Sequence, residues 1–170
     1  MPHRNPVPRR WLMTDERMGA ALWQALRRLP PGSGVVIRHH ATPPAARRAL
    51  ALRIRRIAHA RGLTLVARGG IAGVDGLHGA GRTTGLRTWP AHDRREARRG
   101  ARAGADALFV SPVYPTRSHP GAPTIGPAAA ARIGRGLDIP MIALGGMTDR
   151  KWQKIRRLGF HGWAAIDAWM

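Results

Sequence analysis

Two stretches in the second half of the chain carry residue types that suit the binding of an anion. The first stretch, residues 111–121, holds the hydroxyl groups of Ser111, Thr116 and Ser118 together with Arg117. Hydroxyl and guanidinium groups are good donors to phosphate oxygens. Its prolines would stiffen a loop and reduce the entropy lost on binding. An ordinary surface loop is the alternative that this stretch alone leaves open.

The second stretch is the pair Gly145–Gly146, between an apolar run and the start of a predicted helix. Glycine lets backbone amides come close to an oxyanion, and a helix N-terminus contributes about half a positive charge. The pair therefore indicates a phosphate cradle. A tight strand-to-helix turn without a ligand would also use it.

The histidines do not form a metal-binding pattern. His39 and His40 are adjacent, so they point to opposite faces of a strand, and His78 and His92 stand alone. The chain has no cysteine and no His-Glu-x-x-His spacing. We interpret these side chains as structural or hydrogen-bonding groups.

A repeated order of helix, glycine and strand indicates a parallel sheet covered by helices. Amphipathic spacing and stop signals predict helices over about 15–29, 43–60, 94–103, 127–135 and 148–158. Asp93, with Glu96 three residues later, and Thr148 are expected to cap the third and the fifth of these helices. Continuous apolar runs predict strands at 10–15, 35–37, 63–66, 74–78, 86–88, 107–111, 139–144 and 162–166.

Eight strands in this order predict a compact (β/α)8 TIM-type barrel. Between Arg68 and Trp89 there is no amphipathic helix of normal length, so we expect reduced or missing helices in the middle and after the last strand. An open doubly wound sheet is the alternative. Residues 1–170 would form a single domain, with residues 1–9 as a flexible basic tail.

Charge alone does not define the partner. The formal net charge is +20, but only two of the 29 basic residues are lysines, and the arginines are spread over every predicted helix. No RNA-recognition or helix-turn-helix signature is visible, so we do not expect nucleic acid as the partner. No run of about 18 apolar residues exists, so we expect no membrane partner and a cytoplasmic location.

The missing helices also predict self-association. Barrel strands normally bury their outer faces, so we expect an exposed apolar patch near Gly69–Arg87 and a homo-oligomer that covers it.

Longer motifs around these loops resemble a known family. They are Gly104-Ala105-Asp106, Ser111-Pro112-Val113-Tyr114-Pro115-Thr116 with Ser118–Pro123, and Ile139–Met147. They resemble the thiamine phosphate synthase family, which includes the TenI-like thiazole tautomerases.

The resemblance implies a barrel enzyme that couples hydroxymethylpyrimidine diphosphate with thiazole phosphate to give thiamine phosphate and pyrophosphate. It implies that Arg38 and Ser111 act in catalysis and that the phosphate contacts are Thr116, Ser118, Gly145 and Gly146. Further substrate contacts would be His40, Arg68, His119, Ile166 and Asp167.

Departures from the family pattern leave the activity open. Val66 and Ala67 stand where the family has an Asn-Asp pair, residues 79–84 have no carboxylate, and Asp167 replaces a serine. We therefore predict no metal ligand in the protein, and Mg²⁺ only together with substrate. A TenI-like tautomerase or a non-catalytic protein that binds a phosphorylated metabolite is the alternative to the synthase.

Overall fold

The computed structural model describes residues 6–118 and 120–170. Eight short strands alternate with helices and loops along the chain. The strands are β1 (Arg10–Met13), β2 (Gly34–Ile37), β3 (Thr64–Ala67), β4 (Gly76–His78), β5 (Leu86–Ala91), β6 (Ala107–Val110), β7 (Met141–Leu144) and β8 (Gly162–Ala165).

The strands form a closed parallel barrel in sequence order. Closure is made by β1 and β8, where Trp11 is paired with Ala164. The prediction of a (β/α)8 TIM-type barrel is confirmed, and the open-sheet alternative is wrong. Because all strands run in parallel, the loops after their carboxyl ends share one rim.

Five α-helices lie outside the barrel in the part of the chain that the structure describes. They are α1 (Ala21–Arg28), α2 (Pro44–Ala60), α3 (Arg94–Arg102), α4 (Gly126–Ile133) and α5 (Asp149–Ile155). No helix follows β3 or β4, and only a 3-10 turn, Asp167–Trp169, follows β8. The reduced helices that we expected are confirmed.

The first helix is shorter than its apolar spacing predicted. A 3-10 turn (Glu16–Met18) comes first, and Gly19, with a φ of 48°, separates it from α1. This break places Glu16 and Arg17 in the loop at the rim rather than on a helix.

Side-chain caps fix the starts of two later helices. Asp93 accepts a hydrogen bond from the Glu96 amide at 2.7 Å, and Thr148 accepts one from the Lys151 amide at 3.2 Å. Both caps were predicted from residue type and spacing.

Aromatic side chains fill the inside of the barrel. The rings of Trp11 and His78 both meet the ring of Phe109 edge to face, at centroid distances of 5.1 and 5.4 Å. The Trp11 ring fits only because Gly34 has no side chain, since a Cβ on Gly34 would lie 2.1 Å from the indole ring. Because these side chains fill the inside of the barrel, the space for a ligand lies at the carboxyl ends of the strands.

The loops that replace the middle helices cover their own strands. Ile71, Val74 and Leu86 are half-buried and pack against the core, and Leu77 is buried. Among the described residues, the large exposed apolar side chains are Leu52, Leu158 and Met170, all outside this segment. The prediction of an exposed apolar patch near Gly69–Arg87 is therefore wrong. Self-association stays a prediction, but this patch no longer supports it.

Part of the predicted N-terminal tail is attached to the barrel. The Val7 carbonyl is 2.8 Å from His161 Nε2, and the Arg9 carbonyl accepts from the Trp163 amide at 2.8 Å. Residues 7–9 therefore belong to the folded domain, while residues 1–5 lie outside the described residues. Within the described residues, no helix combines the length and apolar character needed to cross a bilayer.

We expect the stability of the barrel to fall in acid because of His78. Burial, followed by the charges of Arg68, Arg38 and His40, lowers the pKa of His78 to about 4 from 6.5. As the pH falls, the unfolded chain therefore binds this proton at a higher pH than the folded chain does. The stability that the neutral ring contributes is complete above pH 6.5 and is lost as the pH falls toward 4, by about 3 kcal/mol.

Urea unfolding at several pH values measures this effect. His78→Gln should lose that part of the pH dependence, so the difference between the two proteins isolates His78 from His39 and His40, whose pKa values are also lowered, first by burial. Parallel pH profiles for the two proteins would contradict the assignment.

Candidate functional site at the carboxyl ends of the strands

A cavity of about 390 Å³, here called the rim cavity, opens at the carboxyl ends of the strands. Its walls include all of the predicted site residues that the structure describes: Arg38, His40, Arg68, Ser111, Thr116, Ser118, Gly145, Gly146, Ile166 and Asp167. His119, the remaining predicted contact, lies outside the described residues. The fold brings these residues together from the ends of five strands, while their individual roles stay predictions.

The end of β2 is tied to the end of β1. The Arg38 amide donates to Thr14 Oγ1 at 3.1 Å, and the same hydroxyl lies 2.9 Å from His39 Nδ1. His39 is buried, whereas His40 is exposed and stands in the cavity wall. The two histidines therefore diverge as predicted, and Arg38 is presented from an anchored backbone.

Arg17 connects two carboxylates at the mouth of the cavity. Its Nε donates to Asp15 Oδ1 at 2.8 Å, and its Nη1 lies 3.9 Å from Asp167 Oδ1. Arg38 Nη1 is 4.0 Å from Asp15, and Arg117 Nε is 3.6 Å from Asp167. Each carboxylate is thus held between two arginines.

This arrangement does not fit a protein-held Mg²⁺. Magnesium prefers carboxylate and other oxygen ligands in an octahedral shell. Asp15 and Asp167 are engaged by guanidinium groups, and the described residues contain no group of three His, Asp or Glu side chains close enough to hold an ion. Burial raises the pKa of Asp15, but hydrogen bonds from Arg17 and the charge of Arg38 bring it below its usual value.

The loop after β6 presents paired hydroxyl groups. Thr116 Oγ1 lies 2.9 Å from Ser118 Oγ and also accepts from the Ser118 amide at 3.3 Å. Because the two oxygens form one small polar cluster, they can turn together toward an oxyanion.

The glycine pair after β7 packs closely against that same loop. Gly145 and Gly146 both have positive φ values, 100° and 58°. A Cβ on Gly145 would lie 2.9 Å from Pro112 Cα, and one on Gly146 would lie 2.1 Å from the Pro115 carbonyl oxygen. The packing alone therefore requires both glycines, so their presence does not by itself establish a phosphate site.

The helix after the glycines contributes less to an anion site than its position in the sequence suggested. α5 has only seven residues, and its cap, Thr148, already accepts from the Lys151 amide. Lys151 instead reaches back, with its Nζ 2.5 Å from the Gly146 carbonyl oxygen and 4.8 Å from the centre of the Tyr114 ring. A lysine therefore joins the two predicted phosphate loops.

The walls of the cavity are cationic. Burial and then the charges of Arg38, Arg68 and Arg47 lower the pKa of His40, so this ring is neutral near pH 7. The permanent charges come from Arg38, Arg68 and the nearby Arg117. The site is suited to an anionic ligand even with its histidines neutral.

Comparison with known proteins decides the family. The family model described as thiamine monophosphate synthase matches residues 85–169, which is half of the chain. The chain belongs to the thiamine monophosphate synthase family.

Curated relatives of the thiamine monophosphate synthase family match over the same share of the chain. The putative thiamine-phosphate synthase 2 of Aquifex aeolicus is 35% identical over 83 residues, 47% of this chain and 43% of that protein. The thiamine-phosphate synthase of Geobacillus thermodenitrificans is 38% identical over 80 residues, 46% of this chain and 36% of that protein. The alignments thus span less than half the length of these relatives.

Solved structures agree on the fold. The chain superposes on thiamine phosphate pyrophosphorylase from Pyrococcus furiosus with a TM-score of 0.78 and 18% identity, covering 94% of this chain and 86% of that one. The N-acetylmannosamine-6-phosphate 2-epimerase from Clostridium perfringens gives a TM-score of 0.63 and 11% identity, covering 94% and 86%. At these identities the likeness supports the barrel and nothing finer.

The positions where the chain departs from the family's motifs have structural explanations. Val66 and Ala67 are fully buried in β3, and residues 79–84 form the short connection between β4 and β5. Asp167 is the one acid among these departures, and two arginines compensate its charge.

Sequence reasoning missed four side chains in or beside the cavity. Arg17 and Lys151 were counted as ordinary helix cations, Met13 was given no role, and His92 was interpreted only as a structural or hydrogen-bonding histidine. His92 lines the wall and is held by Glu96, with its Nδ1 2.8 Å from Glu96 Oε2. The position of His92 directly after β5 was the only signal that could have found it.

Proposed function

We propose that this chain couples hydroxymethylpyrimidine diphosphate with thiazole phosphate to form thiamine phosphate and pyrophosphate. The observation that carries the proposal is the rim cavity. It is lined by the described motif residues of both phosphate loops together with Arg38 and Arg68. Family membership supports the same reaction class.

The thiazole phosphate would bind between the loops after β6 and β7. The hydroxyls of Thr116 and Ser118 stand on one side, and the backbone of Gly145 and Gly146 stands on the other. Hydroxyl and backbone N–H donors of this kind bind a phosphate dianion without a metal. Lys151 holds the two sides at a fixed separation through the Gly146 carbonyl.

The diphosphate would lie toward the ends of β2 and β3, near Arg38 and Arg68. When the C–O bond to the pyrimidine methylene breaks, its electron pair leaves with the diphosphate, and the thiazole nitrogen then forms the new C–N bond. The developing negative charge on the leaving group needs fixed positive charge close to it. Arginine provides this charge at every physiological pH.

The rest of the wall suits the two heterocycles. Apolar side chains line it beside the charged groups: Met13, Pro90, Leu144, Met147 and Ile166. An apolar wall excludes water, which would otherwise react with a pyrimidine cation. We place the reaction in the cytoplasm, because charged phosphate compounds do not cross a bilayer unaided.

A TenI-like tautomerase or a phosphate-binding protein without catalysis is the second candidate. The observation that favours it is the engagement of Asp15 and Asp167 by arginines, in a structure whose described residues contain no group of three side chains able to hold a metal ion. We therefore expect the coupling to be slow.

We expect the chain to restore growth of a bacterial strain that lacks its own thiamine phosphate synthase, on medium without thiamine. The Thr116→Val, Ser118→Ala double variant should not restore growth, because it removes both hydroxyl donors while keeping similar volumes. Growth rate and protein level are measured together. Equal growth with both forms at equal protein levels would contradict the placement of the thiazole phosphate.

A further inference from the structure

A second cavity of about 340 Å³ lies outside the barrel mouth, between the start of α2 and the loop after β3. It shares His40 and Arg68 with the rim cavity. The other residues of its wall belong to it alone: Thr42, Pro44, Arg47, Arg48, Gly69, Gly70 and Ile71. We call it the outer cavity.

The outer cavity is lined by cations without a lining carboxylate. Arg47, Arg48 and Arg68 contribute three guanidinium groups. Glu16, the acid nearest to this wall through its contacts, accepts from the Ala41 amide at 2.8 Å and from Thr42 Oγ1 at 3.4 Å. Its charge is therefore directed at the loop after β2, and the lining remains strongly positive.

Arg47 is held in a fixed position on this wall. Its Nε donates to the Arg38 carbonyl at 3.1 Å, and its Nη2 donates to the Ile37 carbonyl at 3.2 Å. Its third nitrogen, Nη1, lies 3.8 Å from the place that a Cβ would occupy on Gly69. A donor fixed in this way loses little conformational entropy when it binds a ligand.

The positive charges on this wall repel one another. Burial and the charge of Arg68 lower the pKa of Arg47, with a smaller opposing effect of Glu16. Arg38, Arg68 and Arg47 likewise act on His40. Like charges held together at a concave surface are the arrangement that an anion stabilises.

We propose that the outer cavity is a second anion site, which binds inorganic phosphate or pyrophosphate between Arg47, Arg48 and Arg68. Guanidinium groups match the oxygen geometry of phosphate and can donate to two of its oxygens at once. Gly69 and Gly70 leave this side of the wall without side chains, so the oxygens can come close to the backbone. The site goes beyond the coupling reaction, because most of its wall lies outside the rim cavity.

Gly70 offers a sharp test. A Cβ on this residue would meet no atom within 4 Å, and its φ is outside the left-handed range. Gly70→Asp therefore adds a negative charge to the wall without a clash, and Gly70→Asn is its neutral control of equal size. In calorimetric titrations with pyrophosphate at constant ionic strength, we expect Gly70→Asp to lose one binding event that Gly70→Asn retains.

Removal of a cation gives the second test. Arg48 is exposed on α2, so Arg48→Gln should leave the fold unchanged while it lowers the outer-site affinity roughly fivefold. Arg98→Gln, at an exposed position of α3, removes the same charge elsewhere and should bind as the unchanged protein does. An equal decrease in both variants would mean general electrostatic attraction and would overturn the proposal.

A third comparison separates the outer cavity from the rim cavity. The Thr116→Val, Ser118→Ala variant should keep the pyrophosphate binding that Gly70→Asp removes. If both variants lose the same binding event, the anion binds in the rim cavity and no second site exists. Failure of the outer site in these titrations leaves the auxotroph result unaffected, so the two proposals fail separately.

Discussion

Replacing Arg38 by glutamine is expected to weaken the binding of pyrophosphate in the rim cavity by about 30-fold to 150-fold. The Arg38 side chain is only 22% exposed, and its amide is anchored to Thr14. A hydrogen bond to a charged group in such a place contributes about 2–3 kcal/mol, which corresponds to this loss. The variant also leaves Asp15 with one cation fewer, so the carboxylate would repel the incoming diphosphate.

Titration calorimetry with pyrophosphate in the Gly70→Asp background measures this effect without the outer cavity. Arg98→Gln in the same background is the matched control for the loss of one positive charge. If the two variants bind equally, Arg38 does not contact the diphosphate, and the carry-over of its role from the family is wrong.

Removal of Arg17 is expected to strengthen Mg²⁺ binding at the rim. Arg17 contacts both Asp15 and Asp167, so Arg17→Met releases two carboxylates that face one region of the rim. Asp15 then keeps only Arg38 and Asp167 only Arg117, and carboxylates with less compensating charge attract Mg²⁺ more strongly. We expect weak Mg²⁺ binding by the unchanged protein in the absence of substrate, and an affinity at least about tenfold higher for Arg17→Met.

The double variant Arg17→Met, Asp167→Asn serves as the control, because it removes one of the two released acids. Its Mg²⁺ affinity should return toward that of the unchanged protein. Tight Mg²⁺ binding by the unchanged protein, lost on Asp167→Asn alone, would show that Asp167 is already a metal ligand.

The parts of the fold that depend on neighbouring residues were predictable from the sequence. Apolar runs located the eight strands, and the spacing of Asp93 and Glu96 predicted the start of α3. The parallel order then followed, because helices separate most strands and a parallel barrel places all carboxyl ends on one rim. The grouping of Arg38, Ser111, Thr116 and Gly145 was a consequence of that topology.

The features that the sequence did not show depend on contacts between distant residues. Arg17 and Asp167 are 150 positions apart, and their approach depends on the closure of β1 against β8 and on the break at Gly19. Gly146 suggested a ligand, but its lack of a side chain is required by the Pro115 carbonyl. The loops after β3 and β4 carried no helix signal, and the inward packing of Ile71, Val74 and Leu86 could not be distinguished from an exposed apolar patch.

The metal question shows why a departure from a family pattern is informative. The absence of acids at Val66, Ala67 and residues 79–84 indicated the loss of a ligand set but not what replaced it. In the structure, the rim carboxylates belong to an arginine network, and further arginines line the outer cavity. Fixed guanidinium charge therefore makes this rim positive without a protein-held metal.

The most direct measurement of the central claim is the formation of thiamine phosphate by the purified chain from hydroxymethylpyrimidine diphosphate and thiazole phosphate. The account predicts a slow reaction that releases one pyrophosphate for each thiamine phosphate and that is lost in Arg38→Gln but kept in Arg98→Gln. No product above the protein-free control, or equal rates for Arg38→Gln and Arg98→Gln, would contradict it.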